Sequence, residues 1–306
     1  VSIRTLVITG AEGFVGRHLA AIAHERGLRV VGITRTPIDP GDDLNGLLDE
    51  QVAADLTEGW PDVDGDAIVH LAGLAAVGAS FEQPQRYIET GSAIVTHMCE
   101  SLLREPGSVR RVVAVSSGAV YASGSAEAPL DESAPTAATS PYVVSKLLVE
   151  TQFAYYASRG LDVAVARPFN HIGPGQGQGF LVPDLIAKLR ALDAGEPLAV
   201  GDLGTARDYT DVRDVARAYL QLLLVPRHDQ LIYNIASGKA RTGRQILDEI
   251  ANALSIPVPK VVVDESRIRP GDARLIVGDA SRLTRETGWM PQVPFAQSIR
   301  DAVDAA

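Results

Sequence analysis

The chain reads as an α/β protein, a Rossmann-type doubly wound parallel sheet with a smaller C-terminal α/β substrate domain, and three features of its 306 residues carry that reading. Short β-branched and apolar runs alternate with helix-length stretches, a glycine-spaced turn follows the first run, and the texture changes to a glycine-rich loop after Pro168. Near-continuous apolar strands alternating with helices form parallel sheets covered on both faces.

Thr5-Leu6-Val7-Ile8-Thr9 is the first run, a short buried strand. It leads through Gly10-Ala11-Glu12-Gly13-Phe14-Val15-Gly16 into a helical stretch from Arg17 to Arg26. Glycines there permit a tight turn and close backbone approach, so that amides at the helix start can hold a pyrophosphate. A dinucleotide site is the expectation, the alternative being glycines that serve only the turn. Further strands are expected from Arg29 to Thr34, Ala67 to Ala72, Arg111 to Ser116 and Asp162 to Pro168. Ligands bind at the carboxyl ends of such strands, where Gly10, Gly73 and Ser117 fall. After the second strand, Arg35 stands where a carboxylate would ordinarily take the adenosine ribose hydroxyls. This favours NADP(H), with NAD(H) possible if Arg35 only points into water.

The run Ser140-Pro141-Tyr142-Val143-Val144-Ser145-Lys146 follows a serine strand end at Ser116-Ser117. A spacing of i and i+4 puts phenol and ammonium on one helix face, where the cation favours the phenolate of a group whose unperturbed pKa is about 10. A tyrosine so tuned works as an acid or base near neutral pH. A surface tyrosine beside a solvated lysine is the alternative.

Asn170-His171-Ile172-Gly173-Pro174-Gly175-Gln176-Gly177-Gln178-Gly179 is too polar and flexible for a sheet core and marks the entrance to a substrate domain. The expected division is a dinucleotide-binding domain over 1–168, with a helix returning to it at about 208–225, and a substrate-binding domain over 169–207 and 226–306.

Composition narrows the function classes. An apolar content of 46% supports a sizeable core, and 28 basic against 38 acidic residues, a net charge of −10, argue against a general nucleic-acid surface. An anionic substrate then needs locally placed arginines. Cys99 is the single cysteine, so no internal disulfide forms, and burial in the helix around His97 to Leu103 is expected. No run reaches transmembrane length and no signal-peptide pattern precedes the first strand, so no membrane partner and a cytoplasmic location are expected. No compact His/Cys/carboxylate set suggests a metal, and His70 is expected in the core.

Taken together, GxxGFxG over Gly10 to Gly16, the strand motif Val115-Ser116-Ser117-Gly118-Ala119-Val120-Tyr121 and the tyrosine–lysine pair resemble the extended short-chain dehydrogenase/reductase (NAD-dependent epimerase/dehydratase) family of nucleotide-sugar enzymes, over nearly the whole chain. The resemblance implies Ser117, Tyr142 and Lys146 as catalytic residues. It implies cofactor contacts at Gly10, Gly13, Phe14, Val15 and Gly16, at Asp55 and Leu56 beside the adenine, at Leu71, Ala72 and Gly73, at Pro168, and at Tyr142 and Lys146 themselves. Tyr142 would protonate a developing alkoxide as hydride arrives from the nicotinamide, with Ser117 bonding the same oxygen and Lys146 holding the nicotinamide ribose. The family also suggests a homodimer through helices at Ala93 to Leu103 and Tyr142 to Ser158, although their apolar faces could be buried within one chain.

Within the family, 4,6-dehydratases place an Asp-Glu pair where this chain has Gly118-Ala119, and reductases that also epimerise have a cysteine at Ala119. The resemblance therefore implies simple ketone reduction, or 4-epimerisation by oxidation and re-reduction. The runs Arg167 to Gln176, Gly201 to Leu203, Arg207 to Val215 and Tyr233 to Lys239 look closely like the GDP-6-deoxy-D-mannose reductases, which reduce GDP-4-keto-6-deoxy-D-mannose to GDP-D-rhamnose. This implies that Asn170, Arg207 and Arg269 contact a nucleotide-diphosphate sugar, with Lys188 near the base. Ion pairing with Asp208 or Asp211 is the alternative for Arg207, and a plain loop position before Pro270 for Arg269. The stretch from His70 to Ser80 instead resembles UDP-galactose 4-epimerases, which have a lysine and an asparagine where this chain has Ala75 and Thr90. A 4-epimerase with retained NAD is the second reading, and a non-catalytic nucleotide sensor the third.

Overall fold

Seven parallel strands form one sheet in the computed structural model, which describes residues 3–104, 109, 111–122, 129–193, 195–265 and 274–306. In chain order they are β1 (Thr5–Thr9), β2 (Arg29–Thr34), β3 (Glu50–Ala53), β4 (Ala67–His70), β5 (Arg111–Val115), β6 (Val163–Pro168) and, beyond three strands of other sheets, β10 (Ile232–Ile235). Their order across the sheet is β10-β6-β5-β4-β1-β2-β3, a doubly wound arrangement whose direction reverses between β1 and β4. Such a reversal opens a crevice at the carboxyl ends of those two strands.

Side-chain alternation along β1 explains the two layers of helices. Leu6 and Ile8 point into a core shared with α1 (Phe14–Glu25), α6 (Val212–Leu224) and α8 (Ser281–Thr287), through Leu19, Ala23, Val215, Tyr219 and Leu283. Val7 points the other way, into a core shared with α3 (Pro84–Arg104) and α4 (Pro141–Ser158), through Val95, Met98, Val149 and Phe153. Cys99 lies in this second core, and burial pushes its thiol up to about 12, which leaves it inert at neutral pH. A short helix, α2 (Val77–Ser80), follows β4. No described helix is long and apolar enough to cross a membrane.

A third core is built by α5 (Leu181–Ala191), α7 (Gly243–Ala253) and α9 (Phe295–Asp304) against β8 (Leu198–Val200), which pairs with β12 (Val261–Val263). Beside it, β9 (Ala206–Asp211) pairs with β7 (Asn170–Ile172), β11 (Ala240–Thr242) and β13 (Leu275–Ile276). Two particulars depart from the sequence reading. The first helix begins at Phe14, three residues before the expected Arg17, because Gly13 already serves as its N-cap. Ile232–Ile235, assigned by sequence to the smaller unit, pairs with β6 as the edge strand of the large sheet, a long-range pairing that local periodicity does not reveal.

A buried ion pair ties α4 to the sheet. Arg167 of β6 forks onto Glu150 of α4, with Nε donating to Oε1 at 2.8 Å and Nη2 to Oε2 at 2.6 Å, while Ser116 Oγ at the end of β5 donates to the same Oε1 at 2.5 Å. The guanidinium also lies over the Tyr121 ring, 4.9 Å from its centroid. Burial works against the Arg167 charge and the carboxylate outweighs it, so the arginine stays protonated. Breaking one partner of such a pair leaves an uncompensated buried charge. Glu150→Gln is therefore expected to lower unfolding stability by about 3–5 kcal/mol, read from urea midpoints, and a double Glu150→Gln, Arg167→Met variant to regain part of the loss.

Candidate active site

The glycine turn is fastened to the end of β4. Gly10 has φ +68°, and a Cβ there would stand 3.1 Å from the Ala72 backbone. Thr9 Oγ1 accepts the amides of Leu71 at 3.1 Å and Ala72 at 3.0 Å, which directs its own proton to His70 Nδ1 at 2.8 Å. Burial, then the neighbouring Lys146, holds His70 down at about 3, so it is a neutral core acceptor. Gly16 packs so closely that a Cβ would come 2.3 Å from the Gly10 carbonyl oxygen. The helix that follows has no side-chain cap and no acidic residue in its first turn. The amides of Phe14, Val15 and Gly16 therefore have no intrahelical acceptor, and the macrodipole favours an anion at them. Gly73, at φ +151°, has nothing within 4 Å of where its Cβ would be, so the crevice between the two strand ends is open. These residues fit the diphosphate of a dinucleotide.

Across the sheet, Ser140 Oγ accepts the Val143 amide at 3.2 Å and Pro141 opens α4, which fixes the first turn carrying Tyr142. Ser117 leaves β5 as the cap of a short turn, its Oγ accepting the Ala119 amide at 3.1 Å. Its hydroxyl stands near enough to the buried Tyr142 phenol to favour the ionised form. Lys146, one turn along α4, donates to the Val115 carbonyl at 3.0 Å and sits 5.8 Å from the Tyr142 ring centroid. Together with His70, Gly73, Tyr87 and Ser145, Lys146 lines a small cavity. Among the described residues no group of three or more His, Cys, Asp or Glu is placed to hold a metal ion.

The electrostatics differ from the spacing argument. Burial raises the Tyr142 phenol and outweighs the Ser117 hydrogen bond that lowers it, with Tyr87 adding to the rise. The Lys146 ammonium donates to the Val115 carbonyl and not to the phenol. Burial in turn lowers Lys146 to about 8, against the pull of Glu150. The cluster at rest is a neutral phenol beside a readily deprotonated lysine.

The remaining expected contacts are spread along the strand ends. Arg35 is exposed after β2, and its amide donates to Glu12 Oε1 at 3.0 Å. Asp55 accepts the Thr57 amide at 2.9 Å and its hydroxyl at 2.6 Å, Leu56 is buried behind it, and Pro168 closes β6 beside Ile235. Asn170 is exposed on β7 opposite Tyr209, and Arg207 lies two residues away on β9, so both belong to one small sheet. Asp208 is filled by Ser237, Gly238 and Gly278, and Asp211 by Arg213. Lys188 stands in the last turn of α5, on the third core, apart from the serine–tyrosine cluster. Arg269 lies outside the described residues. Sequence reasoning passed over Glu12 and Glu150. The latter sits one turn beyond Lys146, and the same i, i+4 spacing points to it.

The loop after β7 is docked on α1. His18 Nε2 and the Pro174 carbonyl oxygen are 2.9 Å apart, and the Phe14 ring stacks on His171 at 6.1 Å.

The model of the NAD dependent epimerase/dehydratase family matches residues 6–236. The chain is 33% identical to the GDP-6-deoxy-D-mannose reductase of Pseudomonas aeruginosa, over 96% of this chain and 94% of the reductase. It superposes on the structure of RMD from Pseudomonas aeruginosa complexed with NADPH with a TM-score of 0.82 and 32% identity, covering 99% of this chain and 98% of that one. A UDP-glucose 4-epimerase of Thermus thermophilus in complex with NAD superposes with a TM-score of 0.82 and 27% identity, covering 98% of each.

Replacing Gly16 tests the turn. Gly16→Ala forces a carbon against the Gly10 and Ala11 carbonyls, and is expected to cost about 1–3 kcal/mol in thermal unfolding and to weaken dinucleotide binding measured by calorimetry, whereas the equivalent change at Gly41, which has open space and no positive φ, costs less.

Proposed function

The chain belongs to the NAD dependent epimerase/dehydratase family, and on that premise we propose that it reduces the 4-keto group of a nucleotide-activated 4-keto-6-deoxy sugar, with GDP-4-keto-6-deoxy-D-mannose to GDP-D-rhamnose as the first choice. The observation that carries the reading is the buried, neutral Tyr142 phenol beside Ser117 with a cation one helical turn away. A nicotinamide dinucleotide bound at the strand ends supplies the hydride. Tyr142 gives its proton to the ketone oxygen, Ser117 donates a hydrogen bond to the same oxygen, and Lys146 offsets the phenolate left behind. A phenol that starts neutral suits proton donation better than abstraction, so reduction is the favoured direction.

The surroundings of Gly118 support reduction over water elimination. A Cβ there would stand 2.9 Å from the Phe169 ring, so the position that the resemblance aligns with a dehydratase acid has no room for a side chain beside that ring. Asn170 and Arg207, from the small sheet, are the described groups assigned to the nucleotide-diphosphate sugar, with Arg269 and Lys188 as further contacts; guanidinium donors match diphosphate oxygens. Arg35 supplies the pull toward NADP(H), and the neighbouring Glu12 bears on the same choice. A homodimer through α3 and α4 is part of this reading, consistent with the exposed Val144 and Tyr155 on α4. The second reading is a nucleotide-sugar 4-epimerase, favoured by the likeness to the Thermus epimerase.

The direct test mixes the protein with NADH or NADPH and freshly made 4-keto-6-deoxy sugars carrying GDP or dTDP, following loss of reduced-nicotinamide absorbance. Stoichiometric oxidation with one sugar is expected, while no oxidation with any of them transfers the assignment to the epimerase. In the same assay Tyr142→Phe is expected to lose about 10²–10⁴-fold in turnover while still binding dinucleotide. A non-catalytic sensor would show no turnover to lose. With Lys146 lowered to about 8, kcat/KM for reduction is expected to fall as pH rises through that value, since the deprotonated amine no longer offsets the Tyr142 phenolate. Lys146→Arg, which stays charged, is expected to remove that limb even at a lower absolute rate.

A further inference from the structure

Glu12 carries a feature that the proposed reaction does not use. It is the residue between Ala11 and Gly13 in the glycine turn, and its carboxylate reaches across to the carboxyl end of β2, where Oε1 accepts the Arg35 amide at 3.0 Å. The turn is held against that strand end by the Gly10 amide, which donates to the Ile33 carbonyl at 2.8 Å. The second oxygen, Oε2, is buried and has no hydrogen-bond partner among the described residues. A buried carboxylate oxygen left without a donor is costly unless a ligand hydroxyl or water meets it.

The cations nearby do not answer that need. Arg17 forks onto Asp42 at 2.5 and 2.6 Å and spends its Nε on the Glu12 main-chain oxygen at 3.0 Å, so its attraction to the Glu12 carboxylate is a longer-range one. Arg35 contributes its amide to Glu12 and is otherwise exposed. Glu12 thus places its carboxylate at the β2 end, where an adenosine ribose lies in a doubly wound dinucleotide fold and where an acidic group ordinarily reads its hydroxyls. Here the acid arrives from the glycine turn and not from the strand, so a scan of the residues after β2 finds only Arg35.

We propose that Glu12 decides between the two nicotinamide dinucleotides: its carboxylate accepts a hydroxyl of the adenosine ribose and repels a 2′-phosphate, so that the protein binds NADH more tightly than NADPH although Arg35 stands beside it. The inference rests on the dinucleotide site of the proposed function and refines its cofactor. It is independent of what happens to the sugar.

The test is equilibrium binding of NADH and NADPH without sugar, by quenching of protein fluorescence, on the native protein, on Glu12→Gln and on Arg35→Gln. The glutamine keeps the acceptor for the Arg35 amide and removes only the charge. Expected are tighter binding of NADH by the native protein, a shift of the affinity ratio toward NADPH by about tenfold or more in Glu12→Gln, and a selective loss of NADPH binding in Arg35→Gln. Tighter NADPH binding by the native protein, or a ratio that Glu12→Gln moves by less than about twofold, overturns the proposal. Binding of neither dinucleotide overturns the site itself, whereas failure of every ketosugar to be reduced leaves these ratios standing.

Discussion

The placement of the candidate site depends on the buried pair between Arg167 and Glu150. One carboxylate accepts the guanidinium fork from β6 and the Ser116 hydroxyl from β5, so the carboxyl ends of two strands and the middle of α4 are held by a single group. Ser117 follows Ser116 directly, and Lys146 lies one helical turn from Glu150. Two of the three proposed catalytic residues are therefore positioned within one residue or one turn of that carboxylate. A pair of hydrophobic residues of equal volume could hold the layers together as firmly, but could not set the charge environment of Lys146.

Burial is the second determinant. The same enclosure that keeps Tyr142 protonated makes Lys146 easier to deprotonate, and it holds His70 neutral against Thr9. The site sets an uncharged phenol and an uncharged imidazole beside one lysine that is still mostly protonated at neutral pH, and the charge created by proton transfer falls where Lys146 and Ser117 already stand.

Much of this was legible in the sequence. β1 and β2 fall where their apolar runs place them, because a strand buried on both faces has no polar positions to blur its limits. The Tyr142–Lys146 pair and Ser117 come together because a helical period and a strand end are local properties. What escaped is non-local. β10 joins the large sheet by pairing with β6, from which it is separated in the chain by the whole of the loop after Pro168 and the elements that follow it. The hydrogen-bond partner of Lys146 was hidden as well, since the Val115 carbonyl that accepts its ammonium belongs to another element. Glu12 was visible only as a residue between glycines, since its reach to β2 follows from the turn's three-dimensional path.

The packing of Phe169 against Gly118 also bears on how such a protein can diverge. Any side chain installed at 118 meets the ring, so an acid placed there must displace Phe169. The aromatic must shrink first, and that ring is itself buried and stacked on Tyr121, 5.9 Å between centroids, so the initial step forfeits packing without gaining a reaction. Change at 118 is thus coupled to change at 169 through a single contact.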